Sequence, residues 1–237
     1  MSNPKVFVGT MYCGEGDFDL STVSIATQVG VDVERLVISN LPEKEAHNAL
    51  WAAWRERQSS FDCFLKVDAD TVLAHPNVIA SYIELLKNPD ITGIQAPLAD
   101  YFTDDLINGL NCFSPKVTFR DTADDLFCDR HVDVDHNVVI ASHEVPNVLR
   151  PAGLHCHYTK DIQAFHFGVH RALKGQASVI EKVRRAWTKH KDRQRGLAIL
   201  GARSAAQFSK TRRFNYNDKE LIDAFDRALS TYESMRP

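Results

Sequence analysis

The chain has 237 residues, of which 44% are hydrophobic and 25% charged, and its formal net charge is -3. This size and composition suit a single large globular domain, and they exclude a disordered tail or a collagen-like polymer. No segment approaches the roughly 18 to 20 consecutive apolar residues that a membrane-spanning helix needs. The first residues are polar and then strand-like, without the apolar core of a signal peptide, so we expect a cytoplasmic protein.

The cysteines form no recognisable framework. Their odd number, their wide spacing and the lack of a Cys-x-x-Cys pair fit neither a set of disulfides nor a zinc ribbon. The five are Cys13, Cys63, Cys112, Cys128 and Cys156.

Charge is distributed unevenly along the chain. Residues 171–213 contain 13 Lys or Arg and two acidic residues, a balance of +11, so the remainder carries 15 basic and 29 acidic residues, or -14. Two interpretations are open: a basic surface that meets an anionic surface or a second protomer, or a solvated helical face that balances an acidic body. No nucleic-acid motif accompanies the basic residues, so a dedicated DNA or RNA binder is not expected.

The first hundred residues alternate between strand and helix patterns. Residues 98–160 follow with short apolar runs among many Asp and His, which predicts irregular strands and loops. From Gln163 the pattern is helical to the C-terminus, with one interruption at 196–201. Alternating elements predict an α/β fold whose mostly parallel sheet is covered by helices on both faces. The predicted strands are 5–10, 34–39, 61–67 and 91–96, and the predicted helices are 21–29, 43–58 and 77–87.

Two carboxylates separated by one residue, Asp68 and Asp70, directly follow the third predicted strand. Ligands of open α/β sheets bind beyond the carboxyl ends of the strands. Carboxylate oxygens there suit Mn²⁺ or Mg²⁺, especially when phosphate oxygens complete the coordination shell. The alternative is structural, since an aspartate at this position also caps a helix or forms an Asx turn.

The order of these elements, ending in Val67-Asp68-Ala69-Asp70, resembles the GT-A fold of nucleotide-sugar-dependent glycosyltransferases. The resemblance implies a GT-A-like, Rossmann-type mostly parallel sheet with flanking helices, here extended by basic C-terminal helices. It implies a nucleotide-sugar and metal-binding half at 1–100, an acceptor-side half at 101–170 and a basic helical region at 171–237.

Site residues follow from the same resemblance. Asp70 corresponds to a ligand of the metal, and Asp68 to a contact with the ribose or the metal. Asn48 corresponds to a helix position that faces the donor. The residues that the resemblance places along the nucleoside pocket are Thr10, Met11, Tyr12, Ser39 and Asn40.

A histidine cluster follows the apolar run 148–154. In many GT-A enzymes a late histidine contacts the metal or the diphosphate, and His155 and His157 are the candidates. His166 and His170 are four residues apart on one face of a predicted helix, so they are expected to pair. The neighbouring Arg171, with Lys174, would neutralise phosphate charge on a leaving group.

An inverting transferase also needs a carboxylate that takes the proton of the acceptor hydroxyl. Asp133 and Asp135, which alternate before a predicted strand, are the candidates for that base. Most other acidic residues between 100 and 135 are expected to be surface or turn residues.

The sequence therefore predicts a metal-dependent glycosyltransferase that uses Mn²⁺ or Mg²⁺, a nucleoside-diphosphate sugar and a hydroxyl acceptor. Two alternatives stay open. Asp68-Ala69-Asp70-Thr71 also matches the nucleophile loop of haloacid-dehalogenase-like phosphatases, although that loop normally follows the first strand. A non-catalytic nucleotide-binding module would keep the fold and lack turnover.

Overall fold

The computed structural model describes residues 2–128, 139–140, 145–146, 149–210 and 214–234. The predicted α/β class is confirmed in these residues. The strands are β1 (Lys5–Tyr12), β2 (Asp32–Ser39), β3 (Cys63–Lys66), β4 (Thr71–Leu73), β5 (Gly93–Asp100), β6 (Asp105–Phe113), β7 (Val139–Ile140) and β8 (Gly153–His155). The helices are α1 (Phe18–Ala26), α2 (Glu43–Arg57), α3 (Val78–Leu86), α4 (Asp161–Leu173), α5 (Ala177–His190), α6 (Arg193–Ser204) and α7 (Lys219–Ser234).

The strands form one mixed sheet in the order β2-β1-β3-β6-β5-β8-β4, and β7 pairs with β5 at the side. Four pairings are parallel, namely β1 with β2 and β3, and β5 with β7 and β8. Three are antiparallel and involve β3 with β6, β5 with β6, and β4 with β8. The parallel strands β1, β2 and β3 therefore end at one edge, where a ligand site is expected.

Alternating side chains of the central strands build an apolar layer on each face of the sheet. Val8 of β1 and Leu65 of β3 are buried in a cluster with Ile79 of α3. Phe7 and Phe64, one position away on the same strands, belong to an aromatic cluster that α2 covers. This two-faced burial explains why both strands have nearly continuous apolar sequences.

Two predicted element boundaries are wrong. The first helix runs from Phe18 to Ala26 rather than over 21–29, so Ser21 is a buried residue of its interior. The fourth predicted strand, 91–96, begins later and continues to Asp100, where it turns into the antiparallel β6. Asp100 makes that turn by accepting hydrogen bonds from the amide (2.8 Å) and hydroxyl (2.6 Å) of Thr103.

The predicted interruption at 196–201 is also wrong, because α6 runs through both glycines. These glycines permit close helix packing instead of breaking the helix. A Cβ at Gly201 would lie 2.0 Å from the carbonyl oxygen of Phe165, and one at Gly168 would lie 1.8 Å from that of Ala198. The helical region is divided at other places, one of them Lys191, which has a positive φ of 56°.

Part of the basic region is neutralised within the chain. Lys182 pairs with Asp105 at 2.6 Å, and Lys189 pairs with Asp104 at 2.6 Å. Asp104 also accepts from His190 at 3.1 Å. Hydrogen bonds from Lys189 and His190 hold the pKa of Asp104 down to about 2, and Lys182 lowers the pKa of Asp105. The pairs agree with the interpretation of α5 as a solvated face that balances an acidic body. Within the described residues, no helix is both long enough and apolar enough to cross a bilayer.

Candidate active site

A cavity of about 760 Å³ opens at the carboxyl ends of β1, β2 and β3. Strand ends and α2 supply one wall, and α4 with residues 214–216 supplies the wall opposite. Its volume suits a cofactor-sized ligand. Among the described residues, four carboxyl groups line the cavity: Glu15, Glu43, Asp68 and Asp70.

Both predicted carboxylates lie on the cavity wall, in different surroundings. Asp68 forms an ion pair with Lys66 and its side chain is 43% exposed. Partial burial opposes ionisation, yet the Lys66 ammonium keeps the pKa of Asp68 below its ordinary value. The Asp70 side chain is only 16% exposed. Its Oδ2 accepts hydrogen bonds from the Cys156 thiol at 3.1 Å and from Gln163 at 3.5 Å.

Strand register brings His155 to Asp70. β4, which begins directly after Asp70, pairs with β8 so that Thr71 lies opposite His155. The other neighbour of β8 is β5, which places Asp100 opposite His155. The imidazole therefore has Asp100 Oδ1 2.7 Å from Nδ1 and Asp70 Oδ1 3.7 Å from Nε2. Burial opposes its charge, but the two carboxylates raise the pKa of His155 to about 9.

Cys156 completes a group of three metal-ligating side chains with Asp70 and His155. Its Sγ lies 3.5 Å from His155 Nε2, and the ligand atoms of the three residues all lie within 4.8 Å of one another. Burial and the nearby carboxylates raise the pKa of the Cys156 thiol well above its ordinary range. Because Asp100 occupies Nδ1, His155 presents Nε2 to the site, the arrangement found around metal-bound histidines. The residues present therefore fit a divalent metal.

The structure brings five of the predicted site residues to the cavity wall. They are Met11, Tyr12, Asp68, Asp70 and His155. Met11 and Tyr12 are there because β1 is two residues longer than the pattern predicted. The Tyr12 ring stacks on Phe18, with 4.0 Å between the centroids.

Other predicted residues lie elsewhere. Thr10 is buried, and its hydroxyl accepts a hydrogen bond from Arg35 at 3.2 Å. Ser39 and Asn40 are exposed where β2 ends. The amide of Asn48 exchanges two hydrogen bonds with the backbone of Thr122, at 2.8 and 3.1 Å.

His157 is separated from His155 by the turn that follows β8. It is exposed, and its ring lies 6.1 Å from that of Tyr101. Asp133 and Asp135, the predicted base candidates, lie outside the described residues.

The cavity wall also includes residues beside an aromatic cluster that were not predicted as site residues. His47 and Trp51, one turn apart on α2, line the cavity, as do Phe119 and Ile38. Trp51 stacks on Phe119 with ring centroids 4.4 Å apart and an interplanar angle of 7°. The available signal was the spacing of His47 and Trp51 beside the apolar stripe of α2. Both rings are almost fully buried, with Trp51 2% exposed and Phe119 0%, so they form the apolar backing of this wall.

Glu15 is a second functional candidate that sequence reasoning missed. Burial and the charge of Asp70 raise its pKa to about 7, although the Cys13 amide donates to it at 2.8 Å. Asp17 in the same loop has a pKa raised to about 6, mainly by burial, and accepts from the Tyr158 amide at 2.9 Å. The sequence of this loop, Gly14-Glu15-Gly16-Asp17, is typical of an exposed turn and does not indicate that either carboxyl group is buried.

His166 and His170 lie on one face of α4, as predicted, with 3.9 Å between their ring centroids. The pair holds the segment 214–216 over the cavity: His166 Nε2 donates to the Phe214 carbonyl at 2.5 Å, and His170 Nε2 accepts from the Phe214 amide at 3.0 Å. Burial lowers both pKa values, that of His166 to about 4. Across the opening, Asn215 donates to the Leu41 carbonyl at 3.1 Å.

Arg171 and Lys174 also lie on the cavity wall, as a predicted anion-binding pair requires. The Arg171 guanidinium lies over the Phe167 ring at 4.7 Å and donates to Gln176 at 2.9 Å. These two contacts hold the guanidinium at the cavity wall.

No protein-family model and no curated protein matches the chain. Solved structures do. A mannosyltransferase from Pyrobaculum calidifontis, in complex with GDP-mannose and Mn²⁺, aligns with 100% of this chain and 77% of its own at 12% identity, with a TM-score of 0.48. A glycosyltransferase involved in the glycosylation of the major capsid of PBCV-1 aligns with 47% of this chain and 60% of its own at 16% identity, with a TM-score of 0.33. Likenesses this distant do not establish an activity, which has to be argued from the site.

Proposed function

We propose that this protein is a divalent-metal-dependent glycosyltransferase that moves a sugar from a nucleoside-diphosphate sugar to an acceptor hydroxyl. The observation that carries the proposal is the position of Asp70, with His155 and Cys156, in a cofactor-sized cavity at the carboxyl ends of parallel strands. A metal bound there would counter the negative charge of a diphosphate as the sugar leaves.

The wall formed by α2 and the end of β2 suits the nucleoside. Half-buried Ile38 and the Tyr12 ring, near the ends of β2 and β1, offer apolar surface to the cavity, and the buried Trp51 and Phe119 lie behind them. Stacking on aromatic side chains holds any nucleobase, since every base has a flat face. We assign the nucleoside of the donor to this wall, in agreement with the predicted roles of Met11 and Tyr12.

Cationic side chains suit the phosphates. Arg171 of α4 and Lys174 directly after it bring positive charge to one wall of the cavity, and Lys66 brings it to the other wall from the end of β3. Fixed cations near developing phosphate charge stabilise a leaving group without reorganising during the reaction. We assign the diphosphate to the space between these residues and Asp70.

The proton of the acceptor hydroxyl needs a carboxylate as acceptor. Glu15 lies on the cavity wall with a pKa near 7, the range in which a general base is effective. Asp133 and Asp135 remain candidates from the sequence. Activity of Glu15→Gln, Asp133→Asn and Asp135→Asn variants at several pH values would identify the base among the three.

Nucleotide-dependent stabilisation tests the proposal. The unfolding temperature is measured with UDP, GDP, CDP, dTDP and ADP, each with Mn²⁺, with Mg²⁺ and with EDTA. A ligand that binds only the folded state raises the free energy of unfolding by about 2.7 kcal/mol at about 100 times its Kd. We expect metal-dependent stabilisation by at least one diphosphate, lost in Asp70→Asn and kept in Asp226→Asn. Asp226 is an exposed aspartate of α7 outside the cavity wall.

The same preparation distinguishes the alternatives. Hydrolysis of a generic phosphate ester, without stabilisation by any nucleotide, would favour the phosphatase and contradict the proposal. Stabilisation that persists in Asp70→Asn and needs no metal would favour a non-catalytic binding module. Sugar transfer from the matching nucleotide sugar to water or to a glycan mixture would complete the positive case.

A further inference from the structure

We propose that the thiolate of Cys156 is a direct ligand of the metal, which makes the site a carboxylate–imidazole–thiolate centre rather than an all-oxygen one. The proposal rests on the metal part of the proposed function and not on sugar transfer. Of the five cysteines, Cys156 is the one whose sulfur lies with a carboxylate and an imidazole in the described metal-ligating group.

The distances between the ligand atoms suit one shared ion. Cys156 Sγ lies 3.1 Å from Asp70 Oδ2 and 3.5 Å from His155 Nε2, and His155 Nε2 lies 3.7 Å from Asp70 Oδ1. Atoms bound to a zinc-like ion at about 2.0 to 2.3 Å in tetrahedral directions lie roughly 3.3 to 3.8 Å apart. Small side-chain movements therefore bring the sulfur, the imidazole nitrogen and one oxygen of Asp70 into coordination range.

The backbone holds the Cys156 side chain in place. Its amide donates to the Asp70 carbonyl at 2.9 Å, and its carbonyl accepts from the Thr159 hydroxyl at 2.6 Å. Cys156 has a positive φ of 59°, a conformation uncommon for a residue with a side chain and frequent at functional sites. On the far side of the site, buried Asp100 fixes the His155 ring. Ligands arranged in advance in this way lose little freedom when an ion binds.

A sulfur ligand changes which ion the site prefers. In the metal-free protein the thiol donates a hydrogen bond to Asp70. On binding, the sulfur–hydrogen bond is replaced by a sulfur–metal bond and the proton leaves to solvent. Thiolates favour Zn²⁺ and similar borderline ions, whereas Mg²⁺ prefers oxygen ligands in an octahedron. We therefore expect the site to bind Co²⁺ and Zn²⁺ more tightly than Mg²⁺, and we expect this difference in affinity to shrink when Cys156 is replaced.

Cobalt absorption tests the thiolate directly, without nucleotide and without an activity assay. Titration of the metal-free protein with Co²⁺ is expected to produce a sulfur-to-cobalt charge-transfer band in the near ultraviolet. Cys156→Ser is expected to lose the band and to bind Co²⁺ at least about tenfold more weakly, since even outer-shell changes cost about 10- to 100-fold. Cys13→Ser is the matched control, because Cys13 also lines the cavity but its thiol bonds to Glu15.

Retention of the band in Cys156→Ser, or cobalt binding without a charge-transfer band in the unaltered protein, would overturn the proposal. Circular dichroism in EDTA shows whether the variant folds. If it does not, cadmium NMR of the unaltered protein and of Cys13→Ser decides, since a thiolate ligand moves the cadmium resonance far downfield. A thiolate signal without nucleotide binding would refute the transferase and leave the thiolate centre standing. Nucleotide binding without a thiolate signal would refute the thiolate ligand and leave the transferase standing.

Discussion

At the scale of single residues, Glu15 differs from most acidic side chains because folding raises its pKa. An ordinary glutamate has a pKa of 4.5, and burial together with the charge of Asp70 raises that of Glu15 to about 7. Between these values the folded chain retains a proton that the unfolded chain has released. The contribution of Glu15 to the free energy of unfolding therefore falls as pH rises from about 4.5 to about 7, and stays lower above that range.

Replacing the Glu15 carboxyl group by an amide tests the direction of this pH dependence. In EDTA, Glu15→Gln is expected to match the unaltered protein near pH 4.5 and to be more stable than it above pH 7, by on the order of 2 kcal/mol. Denaturant unfolding across this pH range gives the difference. The matched control is Glu45→Gln, the same substitution at an exposed glutamate of α2 that lies outside the cavity wall. A Glu15→Gln effect of one size at every pH would contradict the explanation.

The site could be predicted in part because strand ends are visible in a sequence. Asp68 and Asp70 follow a buried strand, and His155 follows an apolar run. Cys156 and Glu15 could not be recognised, since their chemistry depends on long-range neighbours. Cys156 meets Asp70 only through the register of β4 with β8, across 86 positions of chain.

Helical glycines are ambiguous at the scale of secondary-structure elements. In a sequence, Gly196 and Gly201 predict a break, because glycine is a poor helix former. In the structure α6 continues through them, and Gly201 lets its backbone approach that of α4. Sequence alone cannot distinguish a glycine that ends a helix from one that allows close packing, because the difference depends on whether a neighbouring helix packs against that glycine.

A pair of substitutions in α6 tests the packing explanation. Gly201→Ala places a Cβ 2.0 Å from the Phe165 carbonyl oxygen, so the helices must separate, and we expect a loss of about 1 to 3 kcal/mol. Gly196→Ala is the matched control, since its Cβ first meets the Tyr232 hydroxyl at 3.1 Å and alanine favours helix by up to about 1 kcal/mol. Urea unfolding measures both. Equal effects of the two substitutions would show that close approach of α4 and α6 is not what Gly201 provides.

At the scale of the whole molecule, the cavity depends on how the C-terminal helices meet the sheet. Arg195 of α6 is buried and donates to the carbonyls of Tyr101 and Phe102, beyond the end of β5, while pairing with Asp192 at 2.7 Å. The helical character of this region was predictable, but its position over the strand ends was not. That position is set by individual contacts such as those of Arg195, which composition and periodicity do not encode.

The segment 214–216 closes the cavity between the helical region and the sheet, which makes a contact at its opening a test of the whole arrangement. Asn215 is half-buried on the cavity wall and donates to the Leu41 carbonyl at 3.1 Å. A typical hydrogen bond contributes about 0.5 to 1.5 kcal/mol, which corresponds to about a 2- to 10-fold change in an equilibrium constant. We expect Asn215→Ala to weaken binding of the preferred nucleoside diphosphate by that factor, because the wall is no longer held across the opening.

Calorimetric titration in the presence of the metal measures the change. Asn217→Ala is the matched control, since Asn217 is exposed two residues further along and lies outside the cavity wall. Cobalt binding should be the same in both variants, because Asp70, His155 and Cys156 lie in and beside the sheet and do not depend on this contact. Equal nucleotide affinity in Asn215→Ala and Asn217→Ala would mean that the donor binds against the sheet wall alone, without help from the C-terminal region.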